Sequence, residues 1–309
     1  MKIVVTGASG LIGSALVPAL RADGHQVHPL VRRPPRNENE IFWDPAAGRL
    51  DPAALVGVDA AVNLAGAGIG DRRWTDSYRR VLRTSRIDST RLLATTLAGL
   101  EPRPRVLLSS SAIGWYGRSA GSDEQAVDET APPGTGFLAE LTRDWEAAAD
   151  PARQAGIRVV HLRTGLVLSG HGGTLGRLLP LFRLGLGGRL GSGRQWMSWI
   201  SLADTVAAIR FLLAAGSDAA GGEVSGPVNL VAPEPVTNAE FTRALAEAVH
   251  RPALFRVPRV ALRAALGEFA DEGVLASQRI RPGVLSAAGF EFRHPDLAGA
   301  LTAIREEGV

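Results

Sequence analysis

The chain has 309 residues, 45 % of them apolar, no cysteine, and a formal net charge of +3. That size and hydrophobicity suit a substantial core in one large or two closely packed domains and exclude a disordered chain. Without cysteine there are no disulfides, thiolate nucleophiles or Cys-based zinc and iron–sulfur sites, which fits a reducing, cytoplasmic setting.

The positive charge is almost entirely arginine, since Lys2 is the only lysine among 34 basic residues. These residues are spread along the chain and do not form a run with interleaved aromatics, so no nucleic-acid partner is expected. The six histidines lack metal-ligand spacing, and no metal is expected. No stretch approaches the roughly 18 apolar residues of a membrane span, and glycines interrupt the signal-like opening MKIVVTGASGLIG. The expectation is a cytoplasmic monomer or homodimer that acts on a small molecule and has no membrane partner.

A first strand is predicted over 3–6 and a helix over 11–22, ended by Gly24 in a left-handed cap. Between them Gly7, Gly10 and Gly13 form G-x-x-G-x-x-G, placed as a dinucleotide phosphate loop requires. The first glycine permits the tight turn, the second lets a pyrophosphate approach, and the third allows close helix–strand packing. The turn Gly7, Ser9, Gly10, Leu11, Ile12, Gly13 is therefore assigned to cofactor binding, with the helix N-terminus facing the phosphates.

A second strand is predicted over 27–31. About 20 residues beyond the glycine loop, an acidic residue would normally bind the ribose diol of NAD. Here Arg32 and Arg33 follow Val31, and a guanidinium fork suits a 2′-phosphate, so NADP(H) is the expected cofactor. The third strand, 60–63, runs into Asn63-Leu64-Ala65-Gly66, whose small residues let the cofactor lie close to the backbone.

Further on, the pattern predicts a helix over 78–97, a strand over 106–109 ending in Ser109, Ser110 and Ser111, a helix over 138–154 and a strand over 159–162. A helix over 205–215 and a strand over 228–231 follow. Thr237 and Glu240 make a capping box for a helix running to about residue 250. Continuous apolar strands alternating with amphipathic helices indicate an α/β fold: a Rossmann-type doubly wound parallel sheet. Proline punctuation after residue 231 indicates a smaller, mainly helical C-terminal substrate domain. The expected division is 1–165, completed by a strand near 227–232, and 166–309.

Glycine loops between 170 and 193 surround Arg189 and precede Arg194, Gln195 and Trp196, which could receive an anionic substrate group. The alternative for these glycines is tight turns, with the tryptophans filling a domain junction. Arg163 suits either a substrate anchor or a structural ion pair.

Together TGASGLIG, VNLAGAGIG, LLSSSAIGWYG and HLRTGLVL resemble the extended short-chain dehydrogenase/reductase superfamily. GTGFLAELTRDWEAAA, PLFRLGLGGRLGSGRQWMSWISLADT and LSAAGFEFRHPDLAGAL are similar to its atypical NAD(P)-dependent epimerase/dehydratase-like subgroup, over essentially the whole chain. The resemblance implies cofactor contacts at Arg32, Leu64, Ala65, Arg86 and Val167.

It also exposes a departure. The superfamily's Tyr-x-x-x-Lys pair would fall on Leu138 and Thr142 when the helix is aligned by Glu146. Arg143 is one residue away, turned by about 100°, and an arginine does not shuttle protons at neutral pH. Ser111 best matches the superfamily serine, and Tyr116 lies in the following loop. These two are the candidate catalytic residues, although Tyr116 could equally be a packed aromatic beside Trp115. The expected function is an NADP-dependent oxidoreductase or epimerase-like enzyme for a polar or nucleotide-linked carbonyl or hydroxyl compound. The alternative is a non-catalytic NADPH-binding sensor.

Overall fold

The computed structural model describes residues 1–215 and 223–306. Eight strands make one sheet: β1 (Lys2–Thr6), β2 (Gln26–Val31), β3 (Ile41–Asp44), β4 (Arg49–Leu50), β5 (Ala60–Asn63), β6 (Val106–Ala112), β7 (Arg158–Thr164) and β8 (Gly226–Leu230). Their order is β8-β7-β6-β5-β1-β2-β3-β4, parallel except for the β3–β4 pair. Because β1 pairs with both β2 and β5, the order reverses at β1. Such a reversal leaves a crevice beyond the carboxyl ends of the strands, the usual ligand position in such sheets.

Helices cover both faces, as the continuous apolar strands require. On one side α1 (Leu11–Ala22) and α6 (Leu202–Ala214) bury Leu16, Leu20, Ile209 and Leu212 against Ile3, Val5, Val62, Leu108 and Leu162. On the other, α2 (Asp76–Ala98) brings Leu93 and Leu97 against Val4, Ala61, Leu107 and Val159. Each such leucine contributes about 1.5–3 kcal/mol by leaving water. A third core joins Leu175, Leu179 and Phe182 of α5 (Gly173–Arg183) to Phe241 and Leu245 of α7 (Asn238–Ala248) and Leu301 of α10 (Leu297–Glu306). Two short helices, α8 (Arg259–Leu266) and α9 (Gly283–Ala287), complete the mainly helical C-terminal part. No described helix is long and apolar enough to cross a membrane.

Local chemistry explains the boundaries. Gly24 adopts φ +80° just past α1, as its left-handed cap requires. The helix expected over 138–154 is two helices, α3 (Phe137–Ala147) and α4 (Asp150–Gln154). Pro151 cannot donate to a continuing ladder but fits the first turn of a new helix, where backbone N–H groups have no intrahelical acceptor anyway. The helix expected from 205 begins at Leu202, because Ser201 caps it by accepting from Asp204 N at 2.9 Å. The strands β3 and β4, the last two of the sheet on this side, were not expected from their short, polar-flanked sequences.

The capping box at α7 forms as expected, with Thr237 accepting from Glu240 N and Glu240 accepting from Thr237 N. Replacing Thr237 by Ala should lower unfolding stability by about 1 kcal/mol in urea titrations, and Thr237→Ser should restore most of it.

Candidate functional site

The glycine turn is shaped by backbone proximity. Gly7 has φ +65°, and a Cβ there would stand 2.6 Å from Leu64 O; a Cβ on Gly13 would stand 2.3 Å from Gly7 O. The first contact joins the turns after β1 and β5, and the second seats α1 on the turn. Gly10 differs, since its Cβ would meet only Gly7 O, at 3.3 Å, leaving its other side open. No side chain caps α1 at Gly10. The helix therefore presents unsatisfied N–H groups and partial positive charge at an open backbone surface.

A buried polar row fixes the partner turn. Thr6, Asn63, Ser109 and His161 stand in register on β1, β5, β6 and β7. Thr6 Oγ1 donates to Asn63 Oδ1 at 2.7 Å and accepts from Leu64 N and Ala65 N at 3.0 and 3.1 Å. Asn63 Nδ2 in turn donates to Thr90 Oγ1 at 2.7 Å, which also receives the Trp145 indole at 3.0 Å. One hydroxyl thus positions the two backbone amides that open the NLAG turn.

Arg86 reaches that turn from α2. Its guanidinium donates to Ala67 O at 2.9 Å and Leu82 O at 3.2 Å, lies 5.0 Å from the Trp145 ring centroid, and is the nearest group a Cβ on Gly66 would meet. Among the described residues it closes no salt bridge. Burial pushes it down to about 10 from the usual arginine range. A desolvated cation without a carboxylate is costly unless an anion joins it.

The two arginines after β2 diverge. Arg33 forms a two-pronged pair with Glu40, at 2.6 and 2.7 Å, and together with the Arg36 amide holds that carboxyl at about 2. Arg33, expected to share in phosphate binding, is thus paired, and its side chain remains 39 % exposed. Arg32 is exposed and makes no salt bridge among the described residues. The remaining side of the crevice is closed by α5, where Gly172 and Gly173 abut Leu11 and Gly173 approaches Val167 O. Arg177 of the same helix donates to Gly70 O at 3.0 Å and pairs with Asp71 at 2.6 Å.

Beside this crevice Ser111, Arg163 and Asn229 form a second in-register row across β6, β7 and β8. Glu146 of α3 receives Ser111 Oγ at 2.6 Å, Arg163 Nε at 2.8 Å and Arg163 Nη2 at 3.0 Å. The Arg163 guanidinium lies 3.8 Å from the Trp115 ring centroid and donates to Tyr116 Oη at 3.3 Å. Tyr116 Oη donates to Asn229 Oδ1 at 2.8 Å, and burial pushes its phenol above the usual range. Of the two roles left open for Arg163, the structural ion pair is the one observed. Tyr116 is buried, with its hydroxyl proton on Asn229, the arrangement of the packed aromatic that was the alternative to a catalytic role. Ser111 stands at the expected strand end, but its proton is directed to Glu146.

Of the expected substrate contacts, Gln195 is buried and its amide donates to Leu190 O at 3.1 Å, which holds its own loop. Trp196 donates its indole N–H to Asp123 at 2.8 Å under the Arg279 guanidinium, while Arg194 is exposed. Leu138, expected to align with the superfamily tyrosine, packs near Gly114; its amide donates to Glu272 Oε2 at 3.3 Å from the C-terminal part. The only lysine, Lys2, donates to Val56 O at the opposite end of β1. Sequence reasoning missed the buried partners Thr6, Thr90 and Glu272, and used Glu146 merely as an alignment marker. The polar Thr6 and Asn63 inside otherwise apolar strands were the available signal.

The family model described as the NAD dependent epimerase/dehydratase family matches residues 3–230, and a domain of unknown function, DUF1731, matches residues 257–304. The epimerase family protein Mb2239 of Mycobacterium bovis is 51 % identical over 299 residues, covering 97 % of this chain and 96 % of that protein. A crystal structure of human epimerase family protein SDR39U1 (isoform 2) with NADPH superposes with a TM-score of 0.85 at 33 % identity, covering 99 % of each chain. A nucleoside-diphosphate sugar epimerase from Corynebacterium glutamicum superposes with a TM-score of 0.79 at 35 % identity, covering 97 % of this chain and 57 % of its own.

The Glu146–Arg163 pair yields a direct test. Glu146→Gln leaves Arg163 buried without a counter-charge and should cost about 3–5 kcal/mol in chemical unfolding. The double change Glu146→Gln/Arg163→Met should cost clearly less than the sum of the two single changes.

Proposed function

Because the chain belongs to the NAD dependent epimerase/dehydratase family, we propose that it is an NADP(H)-dependent oxidoreductase or epimerase-like enzyme for a polar or nucleotide-linked carbonyl or hydroxyl compound. The observation that carries the cofactor assignment is Arg86, a desolvated guanidinium with no carboxylate partner among the described residues, set against the turn that Thr6 holds. NADPH in the human relative's crystal structure supports the same reading.

The residues fit such a cofactor. The open side of Gly10 and the uncapped start of α1 would receive the pyrophosphate, framed by Gly7, Ser9, Leu11, Ile12 and Gly13. Arg32, exposed and unpaired, would take the 2′-phosphate. Leu64, Ala65 and Gly66 would line the opposite wall, while Arg86 supplies charge and Val167 with Leu11 excludes water. The chemistry the bound cofactor supplies is hydride transfer, for which alignment of donor and acceptor is the main requirement. Ser111, with its proton on Glu146, would accept a hydrogen bond from a substrate hydroxyl, and the exposed Arg194 would meet an anionic substrate group.

One observation favours a second reading, a non-catalytic NADPH sensor: the hydroxyls of Ser111 and Tyr116 are both committed to internal acceptors. Oxidation of NADPH in the presence of a carbonyl panel separates the two, and a broad panel without turnover would favour the sensor.

The primary experiment is a titration of the protein with NADPH and NADH. NADPH should bind more tightly. Arg32→Ala should weaken NADPH by about tenfold or more and spare NADH, whereas Arg86→Gln should weaken both. Equal affinity for the two cofactors, unchanged by Arg32→Ala, would overturn the assignment.

A further inference from the structure

A groove of about 880 Å³ opens between α7 and the strand Phe255–Val257, and its lining shares no residue with the candidate cofactor site. Arg189, Arg243, Arg251 and Arg256 line it, against the single carboxylate Glu247. Arginines elsewhere close salt bridges, as Arg33, Arg163, Arg210 and Arg281 do. Among the described residues, none of the four in the groove does. Arg256 Nε donates to Gly191 O at 2.8 Å and Arg251 Nη1 to the adjacent His250 O at 3.1 Å, contacts that orient the side chains without neutralising them. The lining carries a net charge of three, as much as the formal +3 of the whole chain.

The shape and rim add a second requirement. Ala239, Thr242 and Ala246, spaced along one face of α7, make a floor of small side chains, as does Ala253. At the rim Leu254 is 86 % exposed and Phe255 54 % exposed. Phe255 pairs with Gly188, and Leu186, two residues earlier, is also exposed. Cations of one sign around a concavity raise the local potential and attract an anionic partner. Exposed large apolar residues beside them mark a contact surface more specific than a phosphate site.

We propose that this groove binds an acidic peptide segment of a partner protein, one that carries carboxylates for the four arginines and a large apolar side chain for Leu254 and Phe255. A small polyphosphate would satisfy the arginines and leave the apolar rim uncovered. A second copy of this chain, docked through the same groove, would bring like charge against like charge.

The test is selection of a random peptide library displayed on phage against the full chain, with the recovered peptides synthesised and titrated. The expected peptides are rich in Asp and Glu and contain Leu, Phe or Trp. Their affinity should fall at least tenfold in Arg243→Glu/Arg251→Glu, and severalfold in Leu254→Ser/Phe255→Ser, with thermal melting unchanged in both variants. Recovery of no sequence above background, of sequences without acidic bias, or of peptides indifferent to the charge reversal overturns the proposal. Displacement by tripolyphosphate at equal concentration also overturns it and assigns the arginines to a small anion.

Discussion

The carboxylate of Glu146 ties together the parts of the molecule on which the site depends. It lies on α3 yet binds a serine of β6 and an arginine of β7, so one side chain sets the helix against two strands. Burying two charges is expensive, and the cost is offset only when geometry and hydrogen bonding are nearly complete. Here Arg163 meets both carboxylate oxygens, stacks on Trp115 and reaches Tyr116, which is anchored to β8 through Asn229. Three neighbouring strands and a helix are thereby fixed beside the crevice.

The crevice itself rests on a different constraint, the close approach of two turns. Gly7 and Gly13 leave no room for a side chain, and Thr6 directs the amides of Leu64 and Ala65. Against this tightly specified backbone stands Arg86, which closes no salt bridge among the described residues. The contrast is chemically informative. Arg33 and Arg163 have carboxylates of their own, whereas Arg32 and Arg86 close no salt bridge among the described residues.

Most of the parallel sheet was legible, because strands buried on both faces read as continuous β-branched runs and the glycine turn sits between the first strand and helix. The break between α3 and α4 was carried by Pro151, but apolar spacing continues through it and concealed the restart. The short strands β3 and β4 have too few residues to show a period. Arg32 and Arg33 are chemically identical and adjacent, so only the fold could place Glu40 on one and not the other. Arg86 looked ordinary in an arginine-rich helix, since desolvation without a counter-charge is a property of the folded molecule. The partners of Tyr116 and Gln195, Asn229 and Leu190, lie far along the chain or within a loop whose path only the fold defines.

Lys2 carries the only side-chain amine of the sequence, at the end of β1 remote from the glycine turn, with its ammonium on Val56 O. Regulation by lysine acylation or methylation therefore has no purchase near the crevice. The same placement gives the molecule a single side-chain handle for amine chemistry: a tether formed there would hold the sheet at the amino end of its β1 strand and leave the mouth of the crevice facing solution.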